Sequence, residues 1–283
     1  MIPNTFQYVY LTHDGNTHPM YQSFHLVHYL CIKSAIEVNK PEAVNFYCNQ
    51  EPKGEWWKEI RDSLNVVMIE PPTEIFGKPI TELAHMSDVI RLQVLIDEGG
   101  IYTDMDTICV KPYSDLLDNQ FVMGEQGING SEGLCPAVIL SESNSEFGVR
   151  WLSGFKDTFR GGAPGSDGWC THSVYYPLRL AKEIPNDIHV EPHTSFFYPS
   201  YHQESLKQMF EQMVDFPHAY SHHLWETCSM EWIENITVDD IKNNDTRACS
   251  RGFHKAVDPC LSFSRIKKNY YSSSILLNCS STI

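Results

Sequence analysis

Two aspartates, Asp104 and Asp106, are the residues of this chain best suited to do chemistry. They lie on a short turn that follows the apolar, glycine-led segment Gly99-Gly-Ile-Tyr-Thr103. Because alternate residues of an extended segment point to the same side, both carboxylates can face one bound cation. Hard oxygen ligands of this kind suit Mg²⁺ or Mn²⁺, which usually keep open positions for waters and substrate phosphates. The pair therefore predicts a divalent cation site for a phosphorylated small molecule.

The segment before this turn predicts the helix that must position it. An Asp-x-Asp triplet alone is weak evidence, because acidic pairs on solvated loops are common. Residues 81–98 carry apolar side chains at steps of three and four and are followed by two glycines, which predicts an amphipathic helix with a glycine cap. Asp88 and Arg91 project from nearly the same side of that helix. They predict either a surface ion pair, worth under about 1 kcal/mol, or a pair that binds sugar hydroxyls, with Arg91 also facing phosphate oxygens.

These residues also carry a resemblance to a known family. The chain resembles the DxD-containing glycosyltransferases in a block formed by Ser87-Asp88-x-x-Arg91, Gly99-Gly-Ile-Tyr-x-Asp-x-Asp106 and Lys111-Pro112. That family includes yeast-type initiating mannosyltransferases, lactosylceramide galactosyltransferases and the glucosylating domains of large clostridial toxins. So many residue types at fixed spacing are far more specific than a lone triplet.

The resemblance implies a role for each matching residue. In the family an Asp and an Arg of the helix, here Asp88 and Arg91, bind the donor sugar. The acids of the triplet, here Asp104 and Asp106, hold the metal and contact the ribose. The implied reaction is hexosyl transfer, with retention of anomeric configuration, from a nucleoside diphosphate sugar to a hydroxyl acceptor such as a glycan. A UDP-sugar is favoured over GDP-mannose as the donor, and Mn²⁺ or Mg²⁺ is the expected cofactor.

The opening strand supplies candidate contacts to the nucleotide base. Ile2-Pro3 and the strand-like residues 6–11 resemble the opening of the family, although its usual Trp is replaced around Tyr10. That strand ends beside the base in such enzymes, so the resemblance implies contacts from Tyr10, Leu11 and Thr12. A buried first strand with aromatic packing explains the same residues equally well.

Two alignments compete for the third metal ligand, which the resemblance implies near the end of the catalytic domain. The His-x-Trp form of the galactosyltransferase branch favours His223 over His222. In the toxin branch an acid and a serine, here Glu226 and Ser229, help to hold metal and phosphate. We favour His223 over Glu226 and Ser229. An imidazole beside two carboxylates gives a mixed nitrogen and oxygen site, which Mn²⁺ accepts more readily than Mg²⁺. A lone histidine is, however, more often a hydrogen-bonded structural residue.

The order of apolar segments predicts the fold class. Strand-like runs alternate with helical ones, which favours an α/β fold with a mainly parallel, Rossmann-like sheet flanked by helices. The resemblance identifies it as the GT-A fold of nucleotide-diphospho-sugar transferases, with the acidic turn at the carboxyl edge of the sheet, where ligands bind in open α/β sheets. We predict strands at 6–11, 43–48, 65–69, 101–103, 121–123 and 136–140. We predict helices at 20–39, 54–63, 81–98, 145–159 and 171–183.

Length and charge agree with one catalytic domain. The chain has 283 residues, of which 42% are apolar, enough to bury one substantial core, and we assign residues 1–239 to it. The polar residues 240–283 match nothing in the family, and we expect an irregular tail there that packs on the domain or is partly disordered. A formal net charge of −15 argues against nucleic acid as a partner, because attraction to phosphate backbones needs clustered Lys and Arg.

Membrane and targeting signals are absent from the pattern. No run of about eighteen apolar residues occurs, and the amino terminus lacks the basic and apolar regions of a secretory signal. We therefore expect no integral membrane segment and a cytoplasmic location, with a trimmed ectodomain of the secretory pathway as the alternative.

On the acceptor side, the glycine-rich residues 159–169 suit a mobile lid, in which Asp167 and Trp169 are either acceptor contacts or solvated loop residues.

Two other functions fit parts of the pattern. An Asp-x-Asp phosphatase would use Asp104 as nucleophile and Asp106 as acid. Such enzymes place the pair after an apolar strand near the amino terminus, and the Gly-Gly-led segment here is a poor version of that strand. A non-catalytic nucleotide-sugar binder could use the same fold, because fold alone does not settle activity.

Overall fold

The computed structural model of the protein describes residues 1–12, 24–212 and 214–239. The tail predicted at 240–283 lies outside the described residues, as do the first four residues of the helix predicted at 20–39. Within the described part of the chain, no helix is both long enough and apolar enough to span a lipid bilayer.

A mainly parallel sheet forms the centre of the protein, as predicted. In chain order the strands are β1 Thr5–Tyr10, β2 Ala43–Cys48, β3 Asn65–Met68, β4 Glu74–Ile75, β5 Lys78–Pro79, β6 Gly100–Thr103, β7 Thr107–Cys109, β8 Phe121–Gln126, β9 Gly133–Ser141, β10 His189–Glu191 and β11 Ser221–His223. Seven of them form the sheet in the order β10-β8-β9-β6-β1-β2-β3, and only β9 runs antiparallel to its neighbours, β6 and β8. Two short antiparallel pairs, β4 with β5 and β7 with β11, lie outside this sheet.

Helices cover both faces of the sheet. In chain order they are α1 Leu26–Asn39, α2 Glu55–Ile60, α3 Leu83–Asp97, α4 Glu146–Ser153, α5 Phe155–Thr158, α6 Tyr176–Glu183, α7 Gln203–Phe210 and α8 Glu226–Ile233. A π-helical turn at Thr171–Tyr175 leads into α6. Strand β1 shows why two layers form, because Phe6 and Tyr8 belong to the core cluster that includes α1, whereas Val9 packs in the cluster that includes α3.

The predicted elements are present, with differences at short or broken segments. The helix predicted at 145–159 is two helices, α4 and α5, that meet at Gly154. A Cβ at Gly154 would lie 2.2 Å from the Tyr176 hydroxyl, so this glycine allows α6 to pack closely. Strands β4, β5, β7, β10 and β11 and helices α7 and α8 were not predicted. Each has eight residues or fewer, too few to show a clear period.

Two glycines turn the chain from α3 into β6. Gly99 and Gly100 have φ angles of 71° and 109°, which favour glycine. A Cβ at Gly100 would lie 2.5 Å from the Thr5 carbonyl oxygen, so a larger residue would push β6 away from β1. Because β1 and β6 are parallel, Tyr10 and Asp104 follow at the same edge of the sheet.

Candidate active site

A cavity of about 370 Å³ opens at this carboxyl edge. It is walled by the ends of β1 and β6, the first turns of α3, the start of β9, the π-helical turn and the segment from β11 into α8. The predicted site residues that line it are Tyr10, Leu11, Asp88, Arg91, Asp104, Asp106 and His223.

Thr12, the remaining predicted base contact, lies differently. It is not among the described residues that line the cavity. Its backbone N–H donates to Asn49 Oδ1 at 2.9 Å, and its carbonyl oxygen accepts from Asn49 Nδ2 at 2.7 Å. Thr12 therefore ties the end of β1 to the end of β2.

Asp104, Asp106 and His223 form one cluster, which we call the DxD–His cluster. The Nε2 atom of His223 lies 3.1 Å from Asp106 Oδ1 and 3.9 Å from Asp104 Oδ2, and a potential ligand atom of each residue lies within 4.8 Å of the other two. The short β7–β11 pair causes this proximity, because it sets His223 opposite Thr107. The Glu226 backbone N–H also donates to Asp106 Oδ2 at 2.8 Å, which fixes that carboxylate.

Within this cluster, Asp106 and His223 stabilise each other's charged forms. Burial alone would raise the pKa of Asp106, but His223 lowers it below its ordinary value. Burial alone would lower the pKa of His223, but Asp106 raises it well above the ordinary value. Without a cation, the two side chains therefore form a buried ion pair.

The neighbouring His222 faces the other way, as alternation along β11 requires. Its Nδ1 lies 3.1 Å from the Tyr198 carbonyl oxygen. Burial lowers the pKa of His222 to about 4, so its ring is neutral at neutral pH. His222 is thus a hydrogen-bonded structural histidine.

The side chains of Glu226 and Ser229 lie outside the DxD–His cluster. The two carboxylate oxygens of Glu226 face His25 Nε2 at 2.5 Å and His28 Nε2 at 3.2 Å. The His25 and His28 rings stack 3.7 Å apart with an interplanar angle of 25°, and one potential ligand atom of each of these two residues and of Glu226 lies within 4.8 Å of the other two. We interpret these three residues as a hydrogen-bonded group. Ser229 Oγ donates to the Leu224 carbonyl oxygen at 2.7 Å.

Asp88 and Arg91 form a buried pair, so the interpretation as a surface ion pair is wrong. Their residues are only 6% and 5% exposed, and Arg91 Nη2 lies 3.4 Å from Asp88 Oδ1. Arg91 Nη1 lies 3.3 Å from Asp104 Oδ1 and donates to the Pro136 carbonyl oxygen at 2.8 Å. The guanidinium carbon also lies 4.5 Å from the centre of the Tyr102 ring. Arg91 therefore links the α3 carboxylate to the acidic turn.

This network fixes the charge states of its members. Burial alone would lower the pKa of Arg91, but Asp104, Tyr102 and Asp88 raise it above its ordinary value. Burial alone would raise the pKa of Asp88, but Arg91 and then His172 lower it. Both groups are ionised at neutral pH.

Comparison with known proteins gives the family of the chain. Residues 3–123 match the family described as a glycosyltransferase sugar-binding region containing a DXD motif. Over 269 residues the chain is 33% identical to Glucan organizing enzyme 1 of Cryptococcus neoformans var. grubii serotype A. The aligned region covers 92% of this chain and 70% of that protein. This chain belongs to the DXD glycosyltransferase family. Glycosyltransferase activity, predicted from the sequence, is thereby confirmed. The mainly parallel sheet flanked by helices fits the predicted GT-A fold.

Solved glycosyltransferases show a more distant likeness. The PaToxG glycosyltransferase is 13% identical, with 93% of this chain and 88% of that chain covered and a TM-score of 0.44. The apo form of GlyE from Streptococcus pneumoniae is 11% identical, with 82% and 63% covered and a TM-score of 0.47. The galactosyltransferase LgtC, solved with donor and acceptor sugar analogues, is 13% identical, with 77% and 86% covered and a TM-score of 0.43.

A second histidine of this glycosyltransferase, which the sequence did not reveal, supports Asp88. His172 is completely buried in the π-helical turn, and its Nε2 lies 3.1 Å from Asp88 Oδ2. Its carbonyl oxygen accepts a hydrogen bond from Trp151 Nε1 at 2.8 Å, which holds the turn in place. The contact joins residues 84 positions apart. No local spacing could have indicated it.

Of the two candidate residues in the glycine-rich loop, one lies at the cavity and the other is exposed. Trp169 lines the cavity and packs against the ring of His85, with ring centres 4.6 Å apart. Asp167 is exposed, and its carbonyl oxygen accepts from Thr171 Oγ1 at 3.0 Å. Of the two candidate acceptor contacts in this glycosyltransferase, Trp169 is therefore the one at the cavity.

Proposed function

We propose that this glycosyltransferase is metal-dependent and moves a hexose, with retention, from a nucleoside diphosphate sugar to a hydroxyl group of a glycan. A UDP-sugar is the favoured donor. The observation that carries the proposal is the arrangement around one cavity, in which the DxD–His cluster lies beside the Asp88–Arg91 pair.

The donor atoms of the DxD–His cluster fit a divalent cation. Two carboxylates and one imidazole make a mixed oxygen and nitrogen set, which suits Mn²⁺ better than Mg²⁺. The side chains of Asp106 and His223 are about 10% exposed, whereas that of Asp104 is 28% exposed, so the set is more open on the side of Asp104. A bound divalent cation would neutralise negative charge on the departing diphosphate.

The Asp88–Arg91 pair supports recognition of the sugar and its phosphates. Arg91 carries a permanent positive charge at the cavity wall and presents a planar set of donors that matches phosphate oxygens. Asp88 is held on one side by Arg91 and on the other by His172. A carboxylate fixed in this way can orient sugar hydroxyls so that the anomeric carbon faces the acceptor.

The end of β1 offers a surface for the nucleotide base. Tyr10 and Leu11 are both less than 10% exposed yet line the cavity. Burial, followed by the charge of Glu226, raises the pKa of Tyr10 to about 12. Its hydroxyl therefore stays protonated at neutral pH, which suits contact with a neutral heterocycle.

The proposed transfer makes one bond and breaks one bond. The acceptor hydroxyl oxygen bonds to the anomeric carbon while the bond from that carbon to the diphosphate oxygen breaks. The hydroxyl proton passes to the leaving diphosphate, and attack on the face that the diphosphate leaves gives retention without a protein nucleophile. Resemblance to the family supports this stereochemistry. The name of the 33% identical relative, a glucan organizing enzyme, favours a glucan-containing acceptor.

Donor hydrolysis tests the proposal. The protein is incubated with Mn²⁺ and UDP-glucose, UDP-galactose or GDP-mannose, and free sugar is measured. We expect hydrolysis of one donor, reduced at least about 100-fold in Asp106→Asn, because loss of a charged ligand removes transition-state stabilisation. Asp115→Asn is the matched control, since Asp115 is exposed and its side chain contacts the exposed residues Lys111 and Ser114. Phosphate release from a generic phosphomonoester, without sugar release, would contradict the proposal and support a phosphatase.

A further inference from the structure

We propose that His85 binds the transferred sugar and helps to select it, through a hydrogen bond between its ring and a hexose hydroxyl beside Asp88. This inference rests on the proposed function, because it adds a contact to the same donor site. Neither the family match nor the sequence motifs assign a role to His85.

The first observation is an incomplete hydrogen-bond inventory. His85 is only 1% exposed, yet it lines the cavity. Both of its ring nitrogens are buried, and neither has a hydrogen-bond partner of regular geometry among the described residues. Buried polar groups are almost always paired with protein, water or ligand, so a ring without a partner at a cavity wall points to a missing one.

Other buried histidines of the protein differ in this respect. His172 uses one nitrogen on Asp88, His222 uses one on Tyr198, and His223 uses one on the acidic turn. Among the described residues, His85 is the buried histidine with both nitrogens unpaired. A purely structural role, in which a histidine is retained for its internal hydrogen bonds, does not account for it.

The second observation is the position of the ring beside the sugar-binding carboxylate. His85 precedes Asp88 by three residues in α3, so the two side chains share a face of the helix. The His85 ring centre also lies 4.8 Å from that of His172, whose Nε2 contacts Asp88 Oδ2. A sugar hydroxyl that donates a hydrogen bond to Asp88 therefore lies near the His85 ring.

The third observation is that aromatic neighbours hold the ring in place. Phe159 meets it edge-on with ring centres 5.4 Å apart, and Trp169, which also lines the cavity, lies with its ring centre at 4.6 Å. A ring that is already immobilised loses little entropy when it binds a ligand, which favours discrimination between similar sugars. Trp169 also gives the pocket an apolar wall for the carbon face of a hexose.

The charge state of His85 suits a hydroxyl. Burial lowers its pKa, which outweighs the opposing charge of Asp88, and His172 lowers it further. A backbone contact from Trp169 opposes this effect and raises the pKa. The neutral ring has one N–H donor and one nitrogen acceptor, so it can either donate to or accept from a sugar hydroxyl.

Comparing the affinity for a sugar nucleotide with the affinity for the bare nucleotide distinguishes a sugar-binding role of His85 from a structural one. In His85→Phe the ring packing is kept and both nitrogens are removed. With Mn²⁺ present, titration calorimetry should show UDP affinity unchanged within twofold. The preferred donor among UDP-glucose, UDP-galactose and GDP-mannose should bind or turn over at least tenfold less well. GDP replaces UDP as the bare nucleotide if GDP-mannose is preferred.

Two further variants guard against effects of packing. Phe159→Leu loosens the same aromatic cluster without removing a polar atom, so it should lower the melting temperature but not the donor preference. His85→Gln keeps an N–H donor and a carbonyl acceptor, so it should retain more donor turnover than His85→Phe. If His85→Phe does not fold, His85→Leu, which also removes both ring nitrogens, takes its place, and an unchanged ratio of sugar-nucleotide affinity to bare-nucleotide affinity in that variant overturns the inference.

Deoxygenated donors give the sharpest version of the test. The preferred donor is compared with analogues that lack one sugar hydroxyl at a time, in wild type and in His85→Phe. For the hydroxyl that His85 contacts, its removal and the substitution should not be additive. Additive losses for every hydroxyl, or an unchanged KM for the donor in His85→Phe, would overturn the inference alone. No hydrolysis of any donor by the wild-type protein would overturn the proposed function as well.

Discussion

Replacing Arg91 with methionine should destabilise the protein far more than the loss of an ordinary ion pair. Arg91 is 5% exposed and pairs with Asp88 at 3.4 Å and with Asp104 at 3.3 Å. Its guanidinium also donates to the Pro136 carbonyl oxygen at 2.8 Å. In Arg91→Met, the methionine fills similar volume but leaves a buried carboxylate without its cation.

The size of the loss follows from burial. Removing one partner of a buried pair costs roughly 3–5 kcal/mol, because the other charge stays desolvated. Asp88 keeps its contact with His172, and the side chain of Asp104 is 28% exposed, so water compensates in part. We therefore expect a decrease of about 3 kcal/mol in the free energy of unfolding at pH 7, the low end of that range.

The assay is urea denaturation followed by tryptophan fluorescence, with an exposed pair as control. Arg150 pairs with Glu146 at 2.5 Å, but both side chains are 54% exposed, so Arg150→Met should leave the midpoint unchanged within error. The deficit of Arg91→Met should also depend on pH. Because the folded pKa of Asp88 is lowered, its contribution is present above the unfolded pKa and is lost as the pH falls through the lower folded value. The deficit should therefore shrink below about pH 4. A deficit below about 1 kcal/mol at pH 7, the range of surface pairs, would refute this reasoning.

Three further predictions concern the histidines. His223→Asn should weaken Mn²⁺ binding at least about tenfold, whereas His222→Asn, which alters a ring bonded to Tyr198, should not; calorimetry distinguishes them. Binding of Mn²⁺ to the wild type should release a proton, because Asp106 raises the pKa of His223 and only the neutral ring can bind the metal. The affinity for Mn²⁺ should therefore rise with pH. Equal calorimetric enthalpies in buffers of different ionisation enthalpy would contradict this prediction. His172→Phe removes a contact that lowers the pKa of Asp88, so the acidic limb of donor kcat/KM should move to higher pH, and an unmoved limb would show that His172 only packs.

The sequence predicted the elements whose signal is local. Six strand predictions were confirmed, because runs such as residues 43–48 are rich in the apolar and aromatic residues that favour strands. The glycine pair after α3 was likewise readable, since a helix followed by two glycines predicts a sharp turn. Strands β7 and β11 were missed because each has only three residues, although their pairing is what brings His223 to the acidic turn.

The candidate site was predictable only where a motif covered it. Asp88, Arg91, Asp104 and Asp106 lie in one block of the sequence, and the structure places all four at one cavity. The competition between His223 and Glu226 could not be resolved from spacing, because it depends on where the Glu226 side chain points, and it points to His25 and His28.

The contribution of His172 illustrates a different limit of sequence reasoning. It reaches Asp88 from 84 residues further along the chain, where the helix predicted at 171–183 begins as a π-helical turn. Tertiary packing, rather than propensity, decides such contacts. For His85 the signal was present, since it lies one helical turn before Asp88, but its lack of partners becomes visible only once the cavity is known.

The central claim is that Asp104, Asp106 and His223 hold a divalent cation that bridges to a nucleotide diphosphate. The most direct measurement is anomalous diffraction at the manganese edge from crystals soaked with Mn²⁺ and UDP. We predict one anomalous peak within coordination distance of all three side chains, with diphosphate oxygens completing its ligands. Nucleotide in the cavity without a manganese peak at these residues would contradict the claim.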